Sequence, residues 1–84
     1  NLNGTSDNTH PARYSSWIDF WARKTGRKAN RCSCVSCINK AAVGAHVKLV
    51  YGQNNWYIVP LCYAHNSISS DFSVNSEDLV PVNG

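Results

Sequence analysis

Between Asp19 and Asp71 the sequence has no acidic residue, and after Lys48 it has no basic one. The first absence leaves the middle of the chain without a carboxylate to hold a hard cation such as magnesium. Charged residues are scarce overall, at 15%. Long apolar runs are missing too; stretches such as Tyr57-Ile58-Val59 extend over only a few residues. That excludes a membrane-spanning helix and a signal-peptide core, and the sequence reads as cytoplasmic with no membrane partner. With 43% hydrophobic residues the chain is not a charged, disordered tail either. Its 84 residues leave no room for a second domain. A chain of this size buries roughly 60–65% of its unfolded surface, so its core is marginal without a staple.

What charge there is divides sharply. Residues 1–48 carry all eight Lys and Arg against Asp7 and Asp19, a net +6. Residues 49–84 carry only Asp71, Glu77 and Asp78, a net −3. Five of the cations fall in one segment: Arg23, Lys24, Arg27, Lys28 and Arg31. Such a cluster attracts phosphate and makes nucleic acid the expected partner. The bland alternative is a solvated face, and a charged protein partner is the other reading.

The staple is read from the cysteines. Cys34 and Cys37 form C-x-x-C, and Cys62 with His65 forms C-x-x-H, 24 residues further on. Three thiolates and one imidazole make a closed tetrahedral set, which suits structural zinc. Disulfides are the alternative, but three cysteines within six residues favour a metal. Cys32 can replace Cys34 in a C-x4-C spacing; the tighter knuckle is preferred, which makes Cys34, Cys37, Cys62 and His65 the expected ligands.

Residues 1–12 are polar and read as a flexible lead-in, and residues 13–84 as one zinc domain. Ser16 with Asp19 resembles a capping box that opens a helix over 15–25, and Gly26 closes it. Tyr14, Trp17, Ile18 and Trp21 fall at helical spacing and predict a core stripe. Residues 45–50 alternate like a half-buried strand, residues 52–55 read as a turn, and residues 56–59 as the return strand ended by Pro60. A short helix over 61–69 carries Cys62 and His65, which share a face at i and i+3. The run from Leu79 to Val82 reads as a marginal edge strand, because of Pro81.

Helix, knuckle, hairpin and ligand-bearing helix give a small α+β fold, a zinc-stabilised treble clef. The stretch from Gly44-Ala45-His46-Val47 to Pro60-Leu61-Cys62-Tyr63-Ala64-His65-Asn66 resembles the core of the HNH, or His-Me finger, nucleases. The resemblance covers residues 34–66. It implies that His46 stands at the general-base position and Asn66 at the magnesium-binding position. It also implies that Cys34, Cys37, Cys62 and His65 hold zinc, with His65 where a final cysteine is usual. Tyr57 stands where the family carries a central asparagine. The resemblance therefore implies a nucleic-acid-binding relative without efficient cleavage. A metal-dependent endonuclease using His46, Asn66 and Mg2+, or a zinc-stabilised protein-interaction domain, is the alternative.

Overall fold

The computed structural model describes residues 14–50, 55–68 and 70–82. The expected lead-in over 1–12 and most of the 52–55 turn lie outside them. The described chain contains helix α1 (Trp17–Thr25), strands β1 (Val43–Lys48) and β2 (Trp56–Leu61), helix α2 (Tyr63–Ser67), a 3-10 turn (Ser76–Asp78) and strand β3 (Val80–Pro81). The strands form one antiparallel sheet in the order β1-β2-β3. Among the described residues no helix is long and apolar enough to cross a membrane.

Helix α1 begins and ends where the side chains dictate. The Ser16 hydroxyl accepts from Asp19 N–H at 3.1 Å, satisfying one of the unpaired donors of the first turn. The Asp19 carboxylate reaches back to Ser15 N–H at 3.4 Å, one residue before the cap that a capping box would use. Gly26 stops the helix in the left-handed conformation, φ 70°, and returns its N–H to the Ala22 carbonyl.

The sheet separates two cores because strand side chains alternate between faces. On one face, Ala45, Val47, Val59 and Leu61 pack with Cys32 and Cys62. On the other, Ile58 and Val80 pack with Phe20 and Trp21 of α1. Trp21 is buried and Trp17 half-buried against the same cluster, so the aromatic stripe lies in the core. Pro60 does not end the return strand: β2 continues through Leu61. Strand β3 pairs only with Tyr57 and Ile58, so no ladder bond is asked of Pro60 on that edge. Its carbonyl instead accepts from Ser33 N–H at 2.8 Å. The second helix is shorter than expected, five residues, and begins after Cys62 rather than before it.

Asp78 ties the remote parts together. Its carboxylate accepts from the Ser33 hydroxyl at 2.7 Å and pairs with the Arg27 guanidinium at 3.0 Å. Its carbonyl accepts from Trp21 Nε1 at 2.7 Å. Arg27 also lies over the Trp21 ring, 4.9 Å from its centroid.

Helix α1 rests directly on β1 at Gly44. A Cβ there would lie 2.5 Å from the Ile18 nitrogen and 2.5 Å from the Trp17 carbonyl carbon, both backbone atoms that no rotamer change can move aside. Gly44→Ala therefore lifts the helix off the sheet, and we expect a loss of about 3 kcal/mol or more, the upper end for overpacking. Chemical denaturation of the variant measures it; an unchanged midpoint would mean that α1 does not sit this close.

Candidate metal centre

Cys32, Cys37, Cys62 and His65 converge, with their ligand atoms all within 4.8 Å of one another. Three segments deliver them. Cys32 N–H donates to the Asn39 carbonyl at 2.9 Å, and Ala41 N–H to the Asn30 carbonyl at 3.3 Å. This small ladder folds residues 30–32 against 39–41 and brings Cys37 back towards Cys32. Cys62 caps α2 at its N-terminus, and His65 lies three residues on.

The distances fit one ion. A tetrahedral zinc, with bonds of about 2.3 Å to sulfur and 2.0 Å to nitrogen, sets its donors roughly 3.5–3.8 Å apart. Here Cys32 Sγ lies 3.6 Å and Cys62 Sγ 3.2 Å from His65 Nδ1, and Cys37 Sγ lies 4.0 Å from Cys62 Sγ. All four cysteines are free thiols, so the disulfide alternative is not realised. The set can hold a metal ion such as zinc, with His65 ligating through Nδ1.

The thiols differ in how readily they ionise. Burial pushes Cys32 up to about 12. Burial works against Cys62 as well, but hydrogen bonds from the His65 backbone and from the Asn39, His65 and Cys32 side chains outweigh it and bring this thiol down to about 6. The Asn39 amide contributes by donating to Cys62 Sγ at 3.6 Å. A cation bound among these thiols would favour their deprotonated forms.

Of the expected ligands, Cys37, Cys62 and His65 meet, and the cluster takes Cys32 where the sequence preferred Cys34. Cys34 lies beside the cluster without joining it: its residue forms a β-bridge with Val74, and its Sγ lies 3.8 Å from the Val35 carbonyl. Burial, then the neighbouring Cys37 and Cys62, raise its thiol above the ordinary value. The turn from Cys34 to Cys37 does form, with Cys37 N–H donating to the Cys34 carbonyl at 3.0 Å and Ser36 at φ 70°. The knuckle spacing was therefore a true turn signal. What it could not reveal is the ladder that carries Cys32 into the cluster.

His46 stands apart from this centre. Its partner across the hairpin is Ile58, which places it on the α1 face, whereas Ala45 and Val47 face the cluster side. The imidazole packs edge-on against Trp17, ring centroids 4.6 Å apart. Its Nδ1 is buried without a hydrogen-bond partner in the protein, and burial lowers its pKa. Asn66 is buried in α2, one residue beyond His65, and its N–H donates to the Cys62 carbonyl at 3.0 Å.

The basic segment is split by its contacts. Arg23 pairs with Asp19 at 3.3 Å and Arg27 with Asp78 at 3.0 Å. Lys24 lies 5.7 Å from the Phe20 centroid. Lys28 and Arg31 are exposed and have no acidic partner among the described residues. The ladder adds Lys40, directly opposite Arg31. Sequence order hides that pairing. A polar cavity of about 240 Å³ adjoins Lys28 and Arg31, but Glu77 and Asp78 also line it, so it is not an anion pocket in itself.

No protein-family profile matches the chain, and neither a curated protein nor a solved structure is similar to it.

Two outcomes follow. Cys32→Ser removes a clustered donor and loses metal or unfolds the domain, whereas Cys34→Ser keeps full metal stoichiometry; elemental analysis of both variants decides, and the reverse pattern would return the ligand role to Cys34. His46 has a folded-state pKa below its unfolded value, so it adds stability above the unfolded pKa that is lost as pH falls through the lowered one. Between pH 7.5 and 5.5 the parent should lose more stability than His46→Phe, read by denaturant midpoints at both pH values.

Proposed function

We propose that the chain is a treble-clef zinc module that binds nucleic acid through basic residues and does not cleave it efficiently. The ion is zinc, since three thiolates and an imidazole suit this soft, redox-inert, tetrahedral cation and leave no position open for catalysis. The order of ladder, turn, hairpin and ligand-bearing helix supports the treble clef. It is also the order on which the likeness to the HNH nucleases rests.

One observation carries the nucleic-acid reading. Arg31 and Lys40 stand directly opposite each other across a β-bridge, with Lys28 exposed in the same segment. Like charges placed so repel, and a fold tolerates the cost most readily where an anion relieves it. The carboxylates nearest in the fold, Glu77 and Asp78, share a cavity with Lys28 and Arg31, but Asp78 is already paired with Arg27 and neither forms an ion pair with Arg31 or Lys40 among the described residues. Phosphates meet the requirement. Lys24, Lys28, Arg31 and Lys40 then form the contact, while Arg27 serves the fold.

A nuclease reading keeps one supporting observation: burial holds His46 neutral at physiological pH, the state a general base requires. In that reading Asn66 helps to hold Mg2+. Plasmid nicking that needs magnesium and vanishes in His46→Ala would establish it; no nicking at any metal concentration leaves the binding module.

About three phosphate contacts predict a log-affinity against log-salt slope near −3 on duplex DNA. Changing Lys28, Arg31 and Lys40 together to Ala should flatten that slope, while Arg27→Ala should lower the melting temperature and leave the slope alone. Salt titrations by fluorescence anisotropy on unrelated duplexes check both. A parent slope near zero would remove nucleic acid as the partner and favour a protein one.

A further inference from the structure

The most exposed apolar side chains of the described residues stand beside the metal centre. Ile38 is 86% exposed and Tyr63 71% exposed. Each directly follows a clustered thiol, Cys37 and Cys62 respectively, and those two sulfurs lie 4.0 Å apart. The Asn39 amide, next to Ile38, reaches Cys62 Sγ at 3.6 Å. These two contacts hold the segment that carries Ile38 against the first turn of α2, which carries Tyr63. Tyr63 makes no side-chain hydrogen bond among the described residues; its carbonyl alone is used, accepting from the Ser67 hydroxyl at 2.9 Å.

Apolar groups this exposed offer surface that a partner can cover. The charge around them names the chemistry of the cover. Lys40 lies two residues beyond Ile38, and Arg31 faces Lys40 across the bridge. An exposed aromatic ring and an exposed aliphatic side chain, with Lys40 and Arg31 in the adjoining ladder, match an unpaired nucleotide: a base with two π-faces and a phosphate beside it. A duplex matches less well, because its bases already stack on one another.

We infer that Tyr63 and Ile38 form a stacking platform for an unpaired base of a single-stranded nucleic acid, with Lys40 and Arg31 holding the adjacent phosphates. The inference rests on the nucleic-acid reading above and narrows it to single strands. Stacking contributes through the ring and not through the hydroxyl, so Phe replaces Tyr63 without loss and Ala does not.

The test uses the zinc-loaded full chain, with fluorescein-labelled twelve-residue oligothymidylate and a duplex of twelve base pairs at one salt concentration. The parent should bind the single strand more tightly than the duplex. Tyr63→Ala should weaken single-strand binding about tenfold and leave the duplex unchanged. Tyr63→Phe should bind like the parent, and Ile38→Ser should weaken the single strand by a smaller factor. Zinc stoichiometry in every variant confirms that the centre is intact. If the parent binds both ligands equally and Tyr63→Ala alters neither, the platform is overturned while the electrostatic reading stands. If the parent binds neither, both fall. If Tyr63→Ala changes only the sedimentation behaviour, the patch docks protein and the platform is likewise overturned.

Discussion

Three thiols and an imidazole drawn within 4.8 Å of one another are the constraint around which this small chain is arranged. The ladder at 30–32 and 39–41 exists to bring Cys32 and Cys37 together, and β2 runs on through Pro60 to place Cys62 at the start of α2. The second helix is five residues long and rich in poor helix formers, so it does not persist on its own. Its position is set by the donors at its first turn. A core of Ala45, Val47, Val59 and Leu61 is too small to hold these loops unaided, and a structural metal can supply on the order of 10 kcal/mol in domains of this kind.

The sheet divides the molecule into two regimes. One face meets the cysteine-rich loops, where four donors that can hold a metal ion converge. The other meets α1, where order comes from ordinary burial of Phe20, Trp21 and Ile58. His46 belongs to the second regime by strand alternation alone. Its distance from the metal chemistry is thus a consequence of parity: a one-residue change in register would turn it to the opposite face.

Local signals in the sequence were legible because local physics sets them. Ser16 and Gly26 bound α1 as their side chain and backbone freedom require, and the hairpin followed from period-two alternation. The third strand was legible only as a possibility at the sheet margin, which is what two residues of pairing amount to. Three of the four clustered donors were readable from their spacing. Cys32 was legible only as the alternative to Cys34, since the choice between them depends on hydrogen bonds between residues seven to eleven apart that composition does not encode. Likewise, five cations within nine residues gave no sign that Asp78, 51 residues beyond Arg27, pairs with that guanidinium.

Asp78 has a consequence for the order of assembly. Its carboxylate and carbonyl close contacts with Ser33, Arg27 and Trp21, across 45 to 57 positions of chain. Until residue 78 has left the ribosome, the Trp21 indole and the Ser33 hydroxyl have no such acceptor, and β2 lacks its second neighbour. Helix α1 can already pack on β1 and β2, but the polar ties that join it and Arg27 to the cysteine loop at Ser33 wait for the last part of the described chain. A single carboxylate near the end of the described chain therefore acts as a late clasp between the helix face and the cysteine face of the sheet.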